Sequence, residues 1–221
     1  MFAEDKNNYT GPAGNQYFLH VGQDDLNHLG HRLNSKFFLP YLTKHMDVLD
    51  FGSGNGSLAK VISQNVKSCC GLEINEHARD VSESVNNIKT FASISKVAEE
   101  CKKFDAIISN HVLEHIHNPR DTIIELSKLL KSDGVLILML PIDDFRNSQN
   151  ANWVKGNVDR HLHTWTPLLL GNTLEDAGFS PHKIEIVNYA WSYRFFFLGD
   201  GILQKMVCSL LSRCLRRRQL F

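Results

Sequence analysis

Chemistry-bearing residues first gather in Val48-Leu49-Asp50-Phe51-Gly52-Ser53-Gly54-Asn55-Gly56, three alternating glycines behind a short apolar run. Glycine belongs where the chain turns tightly and a ligand must approach the backbone with no Cβ in the way. A helix beginning behind such a loop offers free N–H groups, and Asp50 adds an acceptor. Seventeen residues past Gly56 stands Glu73, at the end of the next expected strand. In a doubly wound sheet that position faces the same crevice, where a carboxylate can accept both hydroxyls of a ribose. The pattern points to a nucleotide-like ligand. A dinucleotide fingerprint would need glycine or alanine at position 57, where Ser57 stands. A pyrophosphate would also sit badly beside Asp50, whereas a cationic ligand without phosphates suits that carboxylate. A bare strand-to-helix turn is the simpler reading, but Asp50, the glycines and Glu73 all fall in register for a ligand.

A second group is His111-Val112-Leu113-Glu114-His115, which fits the H-x-x-E-H pattern of a zinc peptidase. Its context argues otherwise. It follows directly on an expected strand, Asn118-Pro119 cuts any helix after less than two turns, and spacing marks no third ligand. No metal is therefore expected. The third group is Asp159-Arg160-His161-Leu162-His163-Thr164-Trp165, after a long polar segment, Asp143–Val158, with the character of a substrate loop. His161 or His163 could serve as a base, Arg160 could hold an anion, and Trp153 and Trp165 could stack on a ring or sugar. For each histidine alone, a hydrogen bond that orders the loop is an equal alternative.

The elements needed to position these groups are legible as alternating strands and helices. The first twenty residues read as an irregular arm, and Leu26, Leu29, Leu33 and Phe37 then recur at helical spacing up to Pro40. Strands are expected at Met46–Phe51, Ser68–Glu73, Lys89–Ala92, Phe104–Ser109 and Val135–Leu140, and a late one at His182–Tyr189. Helices fall after Gly56, over Asn75–Asn86, after the Asn118-Pro119 start, and from Thr166-Pro167 to Gly178. Trp191–Leu198 is a further candidate strand. The spacing predicts an α/β domain built on a doubly wound, mainly parallel sheet with helices on both faces. Residues 1–45 would form an arm and helix, 46–190 the domain, and 191–221 an extension.

Several of these segments resemble the class I S-adenosylmethionine-dependent methyltransferases. Val48–Gly56 is similar to their first motif, Gly71-Leu72-Glu73 to their ribose-binding acid, and Phe104–Pro119 to the segment after their fourth strand. Leu129–Gly134 with Val135–Pro141 resembles their turn into the fifth strand, and Arg160–Phe179 the helix before the last strands in the small-molecule branch. The resemblance covers about residues 46–187 and implies a seven-stranded-type sheet. It implies S-adenosylmethionine as cofactor, with contacts at Asp50, Gly52, Ser53, Gly54, Gly56, Glu73, Ile74, Ser93, Asn110 and His111. It further implies that Asn110 and His111 lie near the methionine part of the cofactor and the methyl acceptor. Glu114 and His115 match a family pair with a positioning role, and His111 is a base or a pocket wall. The acceptor is expected to be a small molecule methylated at oxygen, of sugar, lipid-linked glycan or quinone-precursor type. Alternatives are an NAD(P)-dependent oxidoreductase and an inert partner module of the same fold.

Composition bounds these readings. The 221 residues suit one domain, and 43% hydrophobic with 22% charged residues excludes a disordered chain or a multispanning membrane protein. The 24 basic and 24 acidic residues cancel, so no global field draws nucleic acid. The balance is uneven along the chain. After Asp200 there is no acidic residue, while Lys205, Arg213, Arg216, Arg217 and Arg218 are basic. Ile202, Leu203, Met206, Val207, Leu210, Leu211, Cys214 and Leu215 form a helical apolar stripe in that stretch. Residues 202–218 are thus expected to pack on the sheet, to form a homodimer contact, or to lie on an anionic membrane surface. Five cysteines without C-x-x-C spacing, and an amino terminus unlike a signal peptide, suggest a reducing cytoplasm, with a peripheral membrane position if the last option holds.

Overall fold

The computed structural model describes residues 9–22, 25–101, 103–142, 152–153, 160–188, 197–198, 201–214 and 218–221. Strand β1 (Asp47–Phe51) is central and pairs in parallel with β2 (Ser68–Leu72) and β4 (Phe104–Asn110). Outside them lie β3 (Thr90–Phe91), parallel to β2, and β5 (Leu130–Ile142), parallel to β4. Beyond β5 comes β7 (Arg218–Leu220), antiparallel to both β5 and the edge strand β6 (Ile186–Asn188). The order is β3-β2-β1-β4-β5-β7-β6, as the doubly wound expectation requires, and the strand order reverses beside β1.

Two cores explain the apolar runs. Alternate residues of each central strand enter opposite faces of the sheet, so both sets must be apolar. Leu49, Phe51, Ile107, Leu138 and Leu140 pack on one face with α5 (Ile94–Glu100), α6 (Pro119–Ser127) and α7 (Pro167–Asp176) through Val97, Ile123, Leu126 and Leu170. Val48, Ala106, Ile108, Ile137 and Met139 pack on the other with α2 (Asp25–Phe38) and α3 (Ser57–Ser63) through Phe38, Leu58 and Ile62. Caps stop the helices where the side chains dictate. Asn75 accepts from the Ala78 amide at 2.8 Å to begin α4 (Glu76–Ser84), and Thr166 accepts from the Leu169 amide at 3.1 Å to begin α7. Gly178, at φ +88°, ends α7 in the left-handed region.

Three local expectations change. The arm is a helix over part of its length, α1 (Gly11–Gly22). Pro12 stands in the first turn, where its missing N–H is harmless. Gly14 marks a close approach rather than a break, since a Cβ there would lie 2.2 Å from the Tyr9 carbonyl and 2.7 Å from Asn75 Nδ2. Strand β5 starts five residues earlier than expected because Leu130 pairs with Phe104 before a register shift restores Val135 opposite Ala106. The basic tail ends inside the sheet. Leu220 is fully buried, and the Phe221 ring meets Phe37, Phe38 and Tyr41 at centroid distances of 5.9, 6.1 and 5.5 Å. Its charge hid the strand signal, since of residues 216–221 only Leu220 and Phe221 are apolar. The candidate strand Trp191–Leu198 lies outside the described residues except for 197 and 198.

Candidate functional site

The glycine loop joins β1 to α3 at the carboxyl edge of the sheet. Gly52, Gly54 and Gly56 all have positive φ, at 74°, 52° and 79°. Any other residue would be strained there, and space is short as well. A Cβ at Gly52 would lie 2.3 Å from Val112, and one at Gly56 2.2 Å from the Ser82 hydroxyl. Two amides of the loop, Gly52 and Ser53, donate to the Leu72 carbonyl at 2.8 and 3.1 Å, tying it to the end of β2.

Two buried carboxylates meet beside this loop. Glu73 accepts from the Gly54 amide at 3.0 Å through Oε2 and from the Asn75 amide at 2.9 Å through Oε1. Burial raises its pKa, against those amide hydrogen bonds. Asp50 is buried with one oxygen, Oδ2, lacking any hydrogen-bond partner. Desolvation, reinforced by the Glu73 charge, pushes its carboxyl up to about 7. A positively charged group placed here would relieve both effects.

The carboxyl end of β4 carries the second cluster. Asn110 ends the strand and takes the Asn34 amide at 3.4 Å, while His111 turns left-handed at φ +57° with its amide on the Met139 carbonyl. Leu113–His115 is a single 3₁₀ turn, too short for a peptidase platform. It buries Glu114 completely and turns His111 Nδ1 and His115 Nε2 to 3.4 and 3.8 Å from Glu114 Oε1. The Glu114 carbonyl accepts the Leu162 and His163 amides at 2.8 and 3.1 Å, which docks the 160–163 segment on the same spot. The His161 ring consequently meets His115 edge-on at 4.9 Å. Burial lowers the His115 pKa, with the Glu114 charge opposing.

Comparison with known proteins decides what this arrangement belongs to. The profile of the methyltransferase-domain family matches residues 25–184. The chain belongs to that family. It is a class I S-adenosylmethionine-dependent methyltransferase, as its motifs imply. A ubiquinone biosynthesis O-methyltransferase of Rickettsia bellii is 29% identical over 169 residues, 70% of each chain. One from Rickettsia akari is 25% identical over 159 residues, 63% of each chain, so the methyltransferase spans under two thirds of that relative's length. In fold it is similar to geranyl diphosphate C-methyltransferase of Streptomyces coelicolor, solved with Mg2+, geranyl diphosphate and S-adenosyl-L-homocysteine. The TM-score is 0.60 at 14% identity, over 85% of this chain and 76% of that one.

The remaining residues singled out in the sequence fall at different places in the methyltransferase. Ile74 is exposed beside Glu73. Ser93 caps α5 through its hydroxyl, which accepts the Lys96 amide at 3.3 Å and pairs with Ser95 at 2.8 Å. The two loop histidines separate. His161 joins His115 and Glu114, whereas His163 Nε2 lies 3.3 Å from the His117 carbonyl and faces a groove between α6 and α7. That groove encloses about 540 Å³ and includes Arg120 and Asp121 among its walls. Trp165 is buried in the core cluster and also forms part of the wall of that groove. Trp153 is almost wholly exposed. Arg160 is exposed and left-handed at φ +40°, and its backbone takes a hydrogen bond from His115. Apart from Asn152 and Trp153, Asp143–Val158 lies outside the described residues, as does Asp159.

Sequence reasoning missed the contribution of α1. The Tyr9 hydroxyl lies 3.1 Å from His115 Nδ1, its carbonyl takes the Asn75 amide side chain at 2.9 Å, and Phe18 lies over Gly54. The segment thus touches the glycine loop, the start of α4 and the histidine cluster together. Its aromatic residues Tyr9, Tyr17 and Phe18 were the available signal, since an unstructured arm has no reason to concentrate them.

Proposed function

We propose that this methyltransferase transfers the methyl group of S-adenosylmethionine to an oxygen of a small-molecule acceptor. The observation that carries the reading is the pairing of the Glu73 carboxylate with the glycine loop beside an unpartnered Asp50 oxygen. These residues fit the cofactor. Gly52, Gly54 and Gly56 leave no Cβ over the loop, and Asp50 Oδ2 and the Ser53 hydroxyl are buried without hydrogen-bond partners. Asp50 and the loop would hold the amino acid part, Glu73 the ribose, and Ile74 and Ser93 the neighbourhood of the base. Asn110 and His111 stand at the switch-point end of β4, on the side of the methionine part.

When bound, the cofactor supplies a methyl carbon made electrophilic by its sulfonium. The chain's own task is alignment and exclusion of water. Phe18 and Tyr9 cover the loop and the histidine cluster, and His111 or His161 would take the hydroxyl proton of the acceptor. The names of the Rickettsia relatives favour oxygen as the atom methylated. A screen with labelled methyl donor over small-molecule, glycan and lipid fractions tests the reading. Label in an oxygen-linked methyl supports it; cofactor binding without label in any fraction favours an inert partner module.

A second observation bears on where the acceptor is met. Helix α8 (Ile202–Cys214) leaves Ile202, Leu203, Met206 and Leu210 more than half exposed, with Phe197 also exposed nearby in sequence. An exposed apolar face in a stretch with five basic and no acidic residues suits an anionic bilayer surface. No helix among the described residues is long and apolar enough to cross a membrane, so such contact would be peripheral.

A further inference from the structure

The Glu114 carboxylate takes no part in the proposed cofactor contacts. It is completely buried, and neither oxygen has a hydrogen-bond partner. A carboxylate buried in that condition calls for a cation or a donor to compensate it. What surrounds it is imidazole. His115 Nε2 is 3.8 Å and His111 Nδ1 3.4 Å from Glu114 Oε1. Glu114, His115 and His161 each turn one ligand atom into the same space, all within 4.8 Å of one another.

The fold builds this convergence from two separate segments. The 3₁₀ turn after β4 carries Glu114 and His115, and the backbone hydrogen bonds from Leu162 and His163 to the Glu114 carbonyl bring in His161. Sequence spacing marked no third ligand for the H-x-x-E-H pattern; the loop supplies one from 46 residues away. The Tyr9 hydroxyl lies against the edge of the His115 ring, 3.1 Å from Nδ1 and 3.5 Å from Nε2, and so packs beside the cluster.

We propose that Glu114, His115 and His161 bind one first-row divalent cation at the acceptor end of the crevice, with His111 beside it. Two imidazoles and one carboxylate suit zinc, manganese, iron or cobalt, rather than calcium or magnesium, which favour oxygen donors throughout. Three protein ligands leave coordination positions for the acceptor. That role rests on the methyl-transfer reading. A hydroxyl bound to the cation would lose its proton more readily, to His111 rather than to the ligating His161, and a lone pair of the resulting alkoxide oxygen would form the bond to the methyl carbon. The electron pair of the broken carbon–sulfur bond would remain on sulfur, leaving a neutral thioether.

The test is a titration of untagged, chelator-treated full-length protein with Co2+, followed by visible absorption and calorimetry, with S-adenosyl-L-homocysteine titrated in parallel. The proposal expects one equivalent of Co2+ and a ligand-field band. His161→Ala, at an exposed position, should weaken binding at least tenfold, Glu114→Gln likewise, and Tyr9→Phe by less. Absence of saturable Co2+ binding, or equal affinity in wild type, His161→Ala and Glu114→Gln, overturns the cation site. Retained homocysteine-product binding in that case leaves the methyltransferase reading standing. Cobalt binding without product binding would support the cation site and count against the methyl-transfer reading.

Discussion

The Glu73 carboxylate at the end of β2 accepts the amide of Gly54, from the loop after β1, at 3.0 Å. One acidic side chain thereby ties the loop after β1 to the end of the neighbouring strand β2. In the proposed reading the same carboxylate would meet the ribose hydroxyls of the cofactor.

Replacing it tests that double role. Glu73→Ala should weaken S-adenosylmethionine binding on the order of a hundredfold, the worth of two hydrogen bonds to a charged group. Thermal unfolding should change little, because removing a desolvated carboxylate offsets the lost amide contacts. Calorimetry on the folded variant measures the first effect; near-normal affinity would remove Glu73 from the cofactor site.

Asp50 gives a pH dependence. Its folded value of about 7 lies above the ordinary 3.8, so the folded state holds this proton more tightly than the unfolded chain. The contribution of this group to stability is complete below about 3.8 and is lost as pH rises towards 7. A cationic ligand should reverse the preference, since it favours the ionised form. Cofactor affinity should therefore rise between pH 6 and pH 7.5, by up to about tenfold per pH unit below the folded pKa. Asp50→Asn should flatten the profile. An unchanged slope in that variant would show that another group titrates.

The strand β7 predicts a cost for a residue near the end of a charged tail. Leu220→Ala should destabilise the fold by about 2–5 kcal/mol, the range for emptying a buried leucine site. Urea unfolding measures it, and a change under 1 kcal/mol, roughly the scale of a surface substitution, would place Leu220 outside the core.

Helix α8 should bring the protein to vesicles containing anionic lipid. Substitution is the proper probe, because ending the chain before α8 would also remove β7. Met206→Glu with Leu210→Glu should abolish cosedimentation with phosphatidylglycerol vesicles while leaving the melting temperature near that of the parent. Equal cosedimentation of parent and variant would remove the membrane reading.

The central sheet and its cofactor loop were legible because they rest on local rules. Alternating apolar residues, Asn and Thr caps, and glycines in tight turns each act within a few residues of themselves. Tyr9, β7 and the His161 contact were not legible, because each depends on a partner far away in the chain. Gly14 shows the difficulty well: the residue that reads as a helix breaker is needed so that Asn75 can approach α1. Likewise Trp165 reads as a stacking platform although it is buried in the core, and that burial has no signature in spacing.

The most direct test of the account is calorimetric titration of the wild-type protein with S-adenosylmethionine and, separately, with NADPH. The glycine loop, the unpartnered Asp50 oxygen and Glu73 together predict saturable one-to-one binding of S-adenosylmethionine and no measurable binding of NADPH. Binding of NADPH with none of S-adenosylmethionine would contradict it.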